Sequence, residues 1–276
     1  MMGTTKKYNG MLEELLAGNR RVAARLITMI ENRSEGIVDL MKRIYPHTGH
    51  ALIIGLTGAG GSGKSSLVGQ LIGSFREQGK KVGVIAVDPS SPFSGGAILG
   101  DRIRFQKYAQ DKNVYIRSMG SRGYLGGLCR ATTDAIRILE AMGNDVILVE
   151  TLGAGQDEID IIHIVQTCLL VVTPGMGDDI QAMKAGIMEI ADIIVLNKAD
   201  LEGATVALQN LAASLNLKLS NDKEAWRPKI IPCVSAASKS EDISGIESLV
   251  EAIAEHQNHL KDTERIELVR YKRVEQ

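Results

Sequence analysis

Between residues 51 and 235 the apolar positions fall in seven short blocks: ALIIGLT (51–57), VGVIAVD (82–88), VYIRSM (114–119), DVILVE (145–150), CLLVVT (168–173), DIIVLN (192–197) and KIIPCVS (229–235). Most are apolar throughout instead of alternating with polar residues. A strand with one wet face alternates, whereas a strand covered on both faces does not. Longer stretches of helical spacing separate the blocks, the pattern of a parallel sheet with helices on both sides. The expected fold is α/β, a three-layer arrangement around a mostly parallel sheet of about seven strands.

Ahead of the first block the period changes. Residues 10 to 45 read as helices. Leu12, Leu15 and Leu16 share one face, and after Gly18-Asn19 the positions Val22, Leu26, Ile27 and Ile30 continue at helical spacing. Asn19 is placed to cap the second helix, because its side chain can accept amide hydrogens orphaned at a helix start. A third helix, Ile37 to Tyr45, should stop at Pro46, whose ring pushes the preceding residue out of helical backbone. Near the other end Ile246, Leu249, Val250 and Ile253 mark a helix from Ile243 to about Leu260. The remainder, TERIELVRYKRVEQ, is highly charged. The expected organisation is a helical extension over 1–50, a main domain over 51–260 and a charged tail over 261–276.

Composition narrows the function class. Of 276 residues, 44% are hydrophobic and 24% charged, with a formal net charge of -1, so neither nucleic acid nor a membrane surface is an expected partner. No apolar run approaches the ~18 residues of a membrane span, and MMGTTKKYNGML lacks a signal core. Cys129, Cys168 and Cys233 form no CxxC pair, which argues against a disulfide framework or a zinc knuckle. A cytoplasmic setting is expected.

The first chemical motif is GAGGSGKS, Gly58 to Ser65, a strand-to-helix match to G-x-x-x-x-G-K-[ST]. Its residues Gly58, Ala59, Gly60, Gly61, Ser62, Gly63, Lys64 and Ser65, with Ser66 following, can surround phosphates with backbone amides at a helix N-terminus. Lys64 is the candidate for the β- and γ-phosphates, and the Ser65 hydroxyl for Mg²⁺. The second motif is NKAD, Asn197 to Asp200, at a strand end. A carboxylate at Asp200 can accept from N1 and the exocyclic amine of guanine, a donor pair that adenine lacks, while Asn197 and Lys198 hold the loop and flank the base. CVSAAS then puts Ser235, Ala236 and Ala237 where a backbone amide can meet the guanine oxygen.

Two further loops follow strand ends. ETLGAGQDE places Glu150 where an acid can hold a water on Mg²⁺, and Gly153 where an amide can sense the γ-phosphate. Gln156 can orient an attacking water or simply face solvent. In VIAVDPSSPFSGGAILGDR, Asp88 ends a strand and Asp101 closes a Ser/Pro/Gly-rich stretch. Strand ends of a parallel sheet face the ligand crevice. The residues themselves leave two readings open: a loop that folds over the metal, or a surface loop with capping aspartates. Arg117, Arg122 and Arg130 flank SRGYLGG and can meet phosphates, a partner or water.

Taken in order, DPSSPFSGGAILGDRIRF, RSMGSRGYLGG, ETLGAGQDEID, PGMGDDIQAMKAGIMEIADIIVLNKAD and the phosphate loop resemble the MeaB/MMAA/ArgK family of P-loop GTPases. The resemblance runs from about Leu12 to about Val250. It implies a fold of the signal-recognition-particle/MinD-like class and a GTPase that acts as chaperone to an adenosylcobalamin-dependent acyl-CoA mutase, notably methylmalonyl-CoA mutase. It implies a magnesium shell of Ser65, Asp88, Asp101 and Glu150, chemistry carried by Lys64, Asp88 and Glu150, and nucleotide switches at 88–105 and 150–160. A third switch, Gly175 to Glu189 with polar members Asp178, Asp179, Gln181 and Lys184, would pass the nucleotide state to the mutase. Cobalamin enters only through that partner. Gly60 stands where the family usually has proline, and GAGQDE where it usually has GVGQSE. Many members form a homodimer through a helical arm that follows the region ending here at Gln276. Competing readings are a nickel-type metallochaperone GTPase, disfavoured by the lack of a His-rich tract or paired Cys, a kinase linked to amino-acid transport, and a scaffold that binds GTP without turnover.

Overall fold

The computed structural model describes residues 10–88, 105–108, 110–120, 127–151, 164–175, 191–217, 226–236 and 244–263, with backbone alone for Asp88, 127–129 and 216–217. All seven apolar blocks are strands: β1 (Leu52–Thr57), β2 (Val82–Asp88), β3 (Val114–Gly120), β4 (Val146–Thr151), β5 (Thr167–Val172), β6 (Ile193–Asn197) and β7 (Lys229–Cys233). They form one sheet in the order β3-β2-β4-β1-β5-β6-β7. The pairs β2–β3, β1–β5, β5–β6 and β6–β7 run parallel. β4, β5 and β6 are buried along their whole length, the two-sided cover that their continuous apolar character requires. β7 lies at the sheet edge, where Pro232 is tolerated because an edge strand leaves one row of amides outside the ladder. The helices among the described residues are α1 (10–16), α2 (Arg20–Glu31), α3 (Ile37–Ile44), α4 (Lys64–Glu77), α5 (Gly127–Ala141), α6 (Ala204–Leu217) and α7 (Ile246–Asp262). None is long and apolar enough to cross a membrane.

The chain divides into two compact units, the first made of Met1–Ile53 and Phe75–Leu148. In it Asn19 caps α2 as its sequence position suggests, its Oδ1 accepting from the amides of Arg21 (3.0 Å) and Val22 (3.3 Å). The buried face of α2 (Ala23, Leu26, Ile27 and Ile30) packs with α5. Leu15 is fully buried, but Leu16 is 40% exposed, so the apolar stripe of α1 is narrower than its leucines suggest. The helix α3 buries Ile37, Leu40 and Ile44 and tightens into a 3₁₀ turn over Tyr45–His47, which accommodates Pro46. Glu140 of α5, 2% exposed, accepts from the amides of Gly49 and Ala51, each at 3.1 Å, and so fixes the chain leading into β1. Arg117 pairs with Glu31 and donates to the Thr28 hydroxyl, which ties β3 to α2. Arg76 donates to Asp111 at 2.8 Å. That hydrogen bond, with one from the Asn113 amide, holds the Asp111 carboxyl below its ordinary range.

The second unit is Ile54–Ser74 with Val149–Glu275. One face of its sheet packs on α6: Leu170, Val172, Ile194 and Leu196 meet Ala207 and Leu211, with Leu208, Leu215 and Ile230 beside them. The helix α7 buries Ile246, Leu249 and Ile253. At the N-terminal end of β5 a buried polar chain joins α7 to the sheet. Gln257 Nε2 donates to Thr167 Oγ1 (2.8 Å), Thr167 Oγ1 lies 2.9 Å from His256 Nδ1, and His256 Nε2 is 3.3 Å from Asp192 Oδ1. Trp226 donates to the Asp192 carbonyl at 2.8 Å and packs on the His256 ring at 4.7 Å. The side-chain polar atoms of Thr167 and His256 thereby each have a protein partner, as a buried polar network requires.

Candidate active site

The loop between β1 and α4 is forced open by its glycines. Gly58 has φ +137°, and a Cβ there would sit 2.2 Å from the Val171 carbonyl oxygen of β5. Gly63 has φ +91°, and its Cβ would sit 2.2 Å from Asn197 Nδ2. Neither position admits a side chain, so backbone lines the loop and its amides are accessible to an anion at the start of α4. Gly60 is different: a Cβ added there meets nothing within 4 Å and φ is not in the left-handed range. The structure therefore sets no steric demand for glycine at the position where the resembling family carries proline.

Lys64 opens α4 and is 5% exposed. Its ammonium folds back to donate to the carbonyls of Gly58 (2.5 Å) and Ala59 (2.9 Å). A buried cation needs acceptors, and these carbonyls supply them. Next in the helix, Ser65 Oγ donates to Glu150 Oε1 at 2.5 Å. Glu150, 2% exposed, comes from the C-terminal part of β4, which Thr151 holds through a 3.3 Å bond to the Leu56 carbonyl of β1. A hydroxyl and a carboxylate in contact form a hard oxygen pair of the kind Mg²⁺ takes, with water and phosphate oxygens completing six positions. Two buried hydroxyls near the loop, Thr57 Oγ1 and Ser62 Oγ, have no hydrogen-bond partner. Such orphans cost about 1–3 kcal/mol each, and a polar ligand in the loop can satisfy them. The residues present thus fit a phosphate ester with Mg²⁺.

The two loops after β6 and β7 converge on the same phosphate loop. Asn197 is fully buried and bridges it to the β7 loop: Nδ2 donates to the Ser62 carbonyl at 2.7 Å and Oδ1 accepts from the Ser235 amide at 3.0 Å. Lys198 adopts a left-handed backbone (φ 57°) and donates to the Gly61 carbonyl at 3.0 Å. The Ala199 amide donates to the Cys233 carbonyl at 3.0 Å, locking the two loops together. Asp200 and Ala236 are exposed, as groups that receive a ligand should be. Gln70, on α4, donates through Nε2 to the Ser235 carbonyl at 3.2 Å. No motif points to Gln70, although it lies six positions beyond Lys64 on the helix that the motif opens.

The structure thus brings Gly58 to Ser65, Glu150, Asn197, Lys198 and Ser235 into one cluster. Ser66 is exposed on α4. Asp88 ends β2 with its side chain outside the described residues, and Asp101, Gly153, Gln156, Asp178, Asp179, Gln181, Lys184 and Ala237 lie outside them as well. Arg117 is occupied by Glu31 and Thr28 on α2. Among the described residues no group of three or more His, Cys, Asp or Glu forms a metal cluster.

Comparison with known proteins adds the family. Residues 23–276 match the family described as Methylmalonyl Co-A mutase-associated GTPase MeaB. A Pyrococcus abyssi protein is 49% identical over 267 residues, covering 96% of this chain and 81% of its own. The Escherichia coli GTPase ArgK is 35% identical over 266 residues, covering 94% of this chain and 78% of its own. A solved structure described as a LAO/AO transport system kinase superposes with a TM-score of 0.79 at 26% identity, covering 98% of this chain and 81% of that one.

Proposed function

Since this chain belongs to the MeaB family of GTPases, we propose that it is a Mg²⁺-dependent G-protein chaperone that gates delivery, protection or repair of the cofactor on an adenosylcobalamin-dependent acyl-CoA mutase, with methylmalonyl-CoA mutase as the first partner to test. The family's own description, a GTPase associated with that mutase, is the observation that carries the partner.

The residue roles follow from the cluster. Backbone amides of Gly58 to Ser66 take the phosphates at the N-terminus of α4. Lys64 leaves the Gly58 and Ala59 carbonyls, or shares itself with them, to neutralise charge on the β- and γ-phosphates. Ser65 and Glu150 would hold Mg²⁺ directly or through water, with Asp88 at the end of β2 and Asp101 completing the shell. When bound, Mg²⁺ adds positive charge where negative charge develops on the phosphoryl oxygens. Asp200 selects guanine, and the loop at Ser235, Ala236 and Ala237 meets the guanine oxygen. Asn197 and Lys198 hold these loops in place. Hydrolysis by the protein alone is slow, because positioning and charge neutralisation act without an assigned general base. In the same reading residues 1–50 extend a GTPase domain spanning 51–260 with a tail over 261–276, and the protein works in the cytoplasm, either as a monomer or a homodimer.

A nucleotide switch requires that the partner bind the GTP and GDP states with different affinity. The test is titration of purified methylmalonyl-CoA mutase with this protein loaded with a non-hydrolysable GTP analogue or with GDP. A several-fold affinity difference is expected. Equal affinities, or no complex with any acyl-CoA mutase, overturn the chaperone reading. Tracing γ-labelled GTP separates it from a kinase: label in inorganic phosphate supports hydrolysis, and label on an acceptor overturns it.

A further inference from the structure

The base-facing loop after β7 is held from two sides, and one of the holds comes from the phosphate-loop helix. The Ser235 amide is engaged by Asn197 Oδ1 at 3.0 Å, and the Ser235 carbonyl by Gln70 Nε2 at 3.2 Å. Ser235 itself is 6% exposed, so neither group is turned by solvent. The peptide joining Ser235 to Ala236 is planar and trans, which makes its C=O and its N–H point in opposite directions. Fixing the carbonyl towards α4 therefore fixes the N–H of the exposed Ala236 away from α4. A peptide plane pinned at one end only can rotate, and a donor that rotates discriminates poorly between acceptors.

We propose that Gln70 is a specificity-positioning residue for the nucleobase: by holding the Ser235 carbonyl it aims the Ala236 amide at the 6-oxo group of guanine. The inference rests on the reading of Ser235 to Ala237 as the base loop. Gln70 touches neither base nor phosphate in this role and acts through the peptide plane. An aimed N–H rewards a carbonyl acceptor and opposes the amino group that adenine carries at the same position. The bond also places the selectivity element on α4, about 1.7 turns from Lys64, so the base loop and the phosphate loop share one rigid support.

The test uses nucleotides that differ at position 6. GTP and ITP both carry the 6-oxo group, whereas 2-aminopurine riboside triphosphate lacks it. Affinities for the three are measured for the parent, Gln70→Leu and Gln70→Glu, the last keeping size while replacing the donor by an acceptor. Losing one aimed amide bond should weaken GTP and ITP by about 3- to 10-fold, the worth of a single net hydrogen bond. The 2-aminopurine nucleotide should bind all three proteins alike. Equal weakening of all three nucleotides in both variants means that Gln70 merely supports the loop, and unchanged GTP affinity means that it does nothing for the base; either result overturns the proposal. A parent protein that shows no preference for the 6-oxo nucleotides overturns the base-loop reading itself.

Discussion

Asn197 and Asp200 belong to one four-residue motif, yet the structure gives them opposite energetic roles. Asn197 is fully buried, and its side chain satisfies the Ser62 carbonyl and the Ser235 amide, whose residues are 0% and 6% exposed. Asn197→Ala leaves both groups without a partner. An orphaned buried group costs about 1–3 kcal/mol, and water entering the vacated space recovers part of it, so a total loss of about 2–4 kcal/mol is expected. For a chain of this size each kcal/mol moves Tm by about 2–4 °C, which gives a drop of roughly 5–15 °C. Asp200 is exposed, so Asp200→Ala should leave Tm within about 2 °C and instead reduce the preference for GTP over ATP. Calorimetric melts of the two variants without nucleotide, followed by competition of GTP and ATP against a fluorescent GDP analogue, read both effects. If Asn197→Ala melts with the parent, the bridge contributes no stability and the reasoning from its buried partners is wrong.

Four other outcomes are expected. Gly58→Ala should lose nucleotide binding in the same competition assay, because its Cβ would lie 2.2 Å from the Val171 carbonyl oxygen, which belongs to the β5 backbone and cannot swing aside. Glu150→Gln keeps an acceptor for the Ser65 hydroxyl but removes the negative charge; the Mg²⁺ concentration for half-maximal GTP hydrolysis should rise about tenfold or more while Mg²⁺-free GDP binding persists. Asp111→Asn should destabilise the fold at neutral pH. The native Asp111 carboxyl titrates below the ordinary aspartate value of 3.8, held down by its bond from Arg76, so its contribution is present above that pH and is lost as acid protonates the native carboxylate; urea melts of parent and variant should converge at low pH. In a Cys129→Ser background, Ellman's reagent should label neither remaining thiol of the folded protein and both after unfolding, since burial pushes the Cys233 thiol up to about 12 and Cys168 higher still.

The sheet was legible because two-sided burial leaves a one-dimensional trace: Val146–Val149 and Ile193–Leu196 are apolar at every position, and both segments are strands with no exposed residue. The cap at Asn19 was legible for a similar reason, since a helix start is satisfied by residues within three positions. The phosphate loop could be read because its chemistry is local, glycines and Lys64 inside eight consecutive residues. The width of the α1 stripe was not legible: helical spacing names the possible face, but the neighbour that covers Leu15 and not Leu16 is set by packing.

What the sequence by itself determined, then, is the set of parts: seven apolar strands, a phosphate loop, and strand-end acids and amides in an order that resembles one GTPase family. Only tertiary structure decided how they are joined. Ser65 meets Glu150 across 85 positions, Asn197 meets Ser62 across 135, and Gln70 meets Ser235 across 165. Contacts at such separations leave no period and no spacing in the chain, because they depend on the order in which parallel strands are laid into the sheet. That order brings the C-terminal part of β4 against α4 and the β6 and β7 loops against the phosphate loop, and it turns an unmarked glutamine on a helix into a support for the base loop.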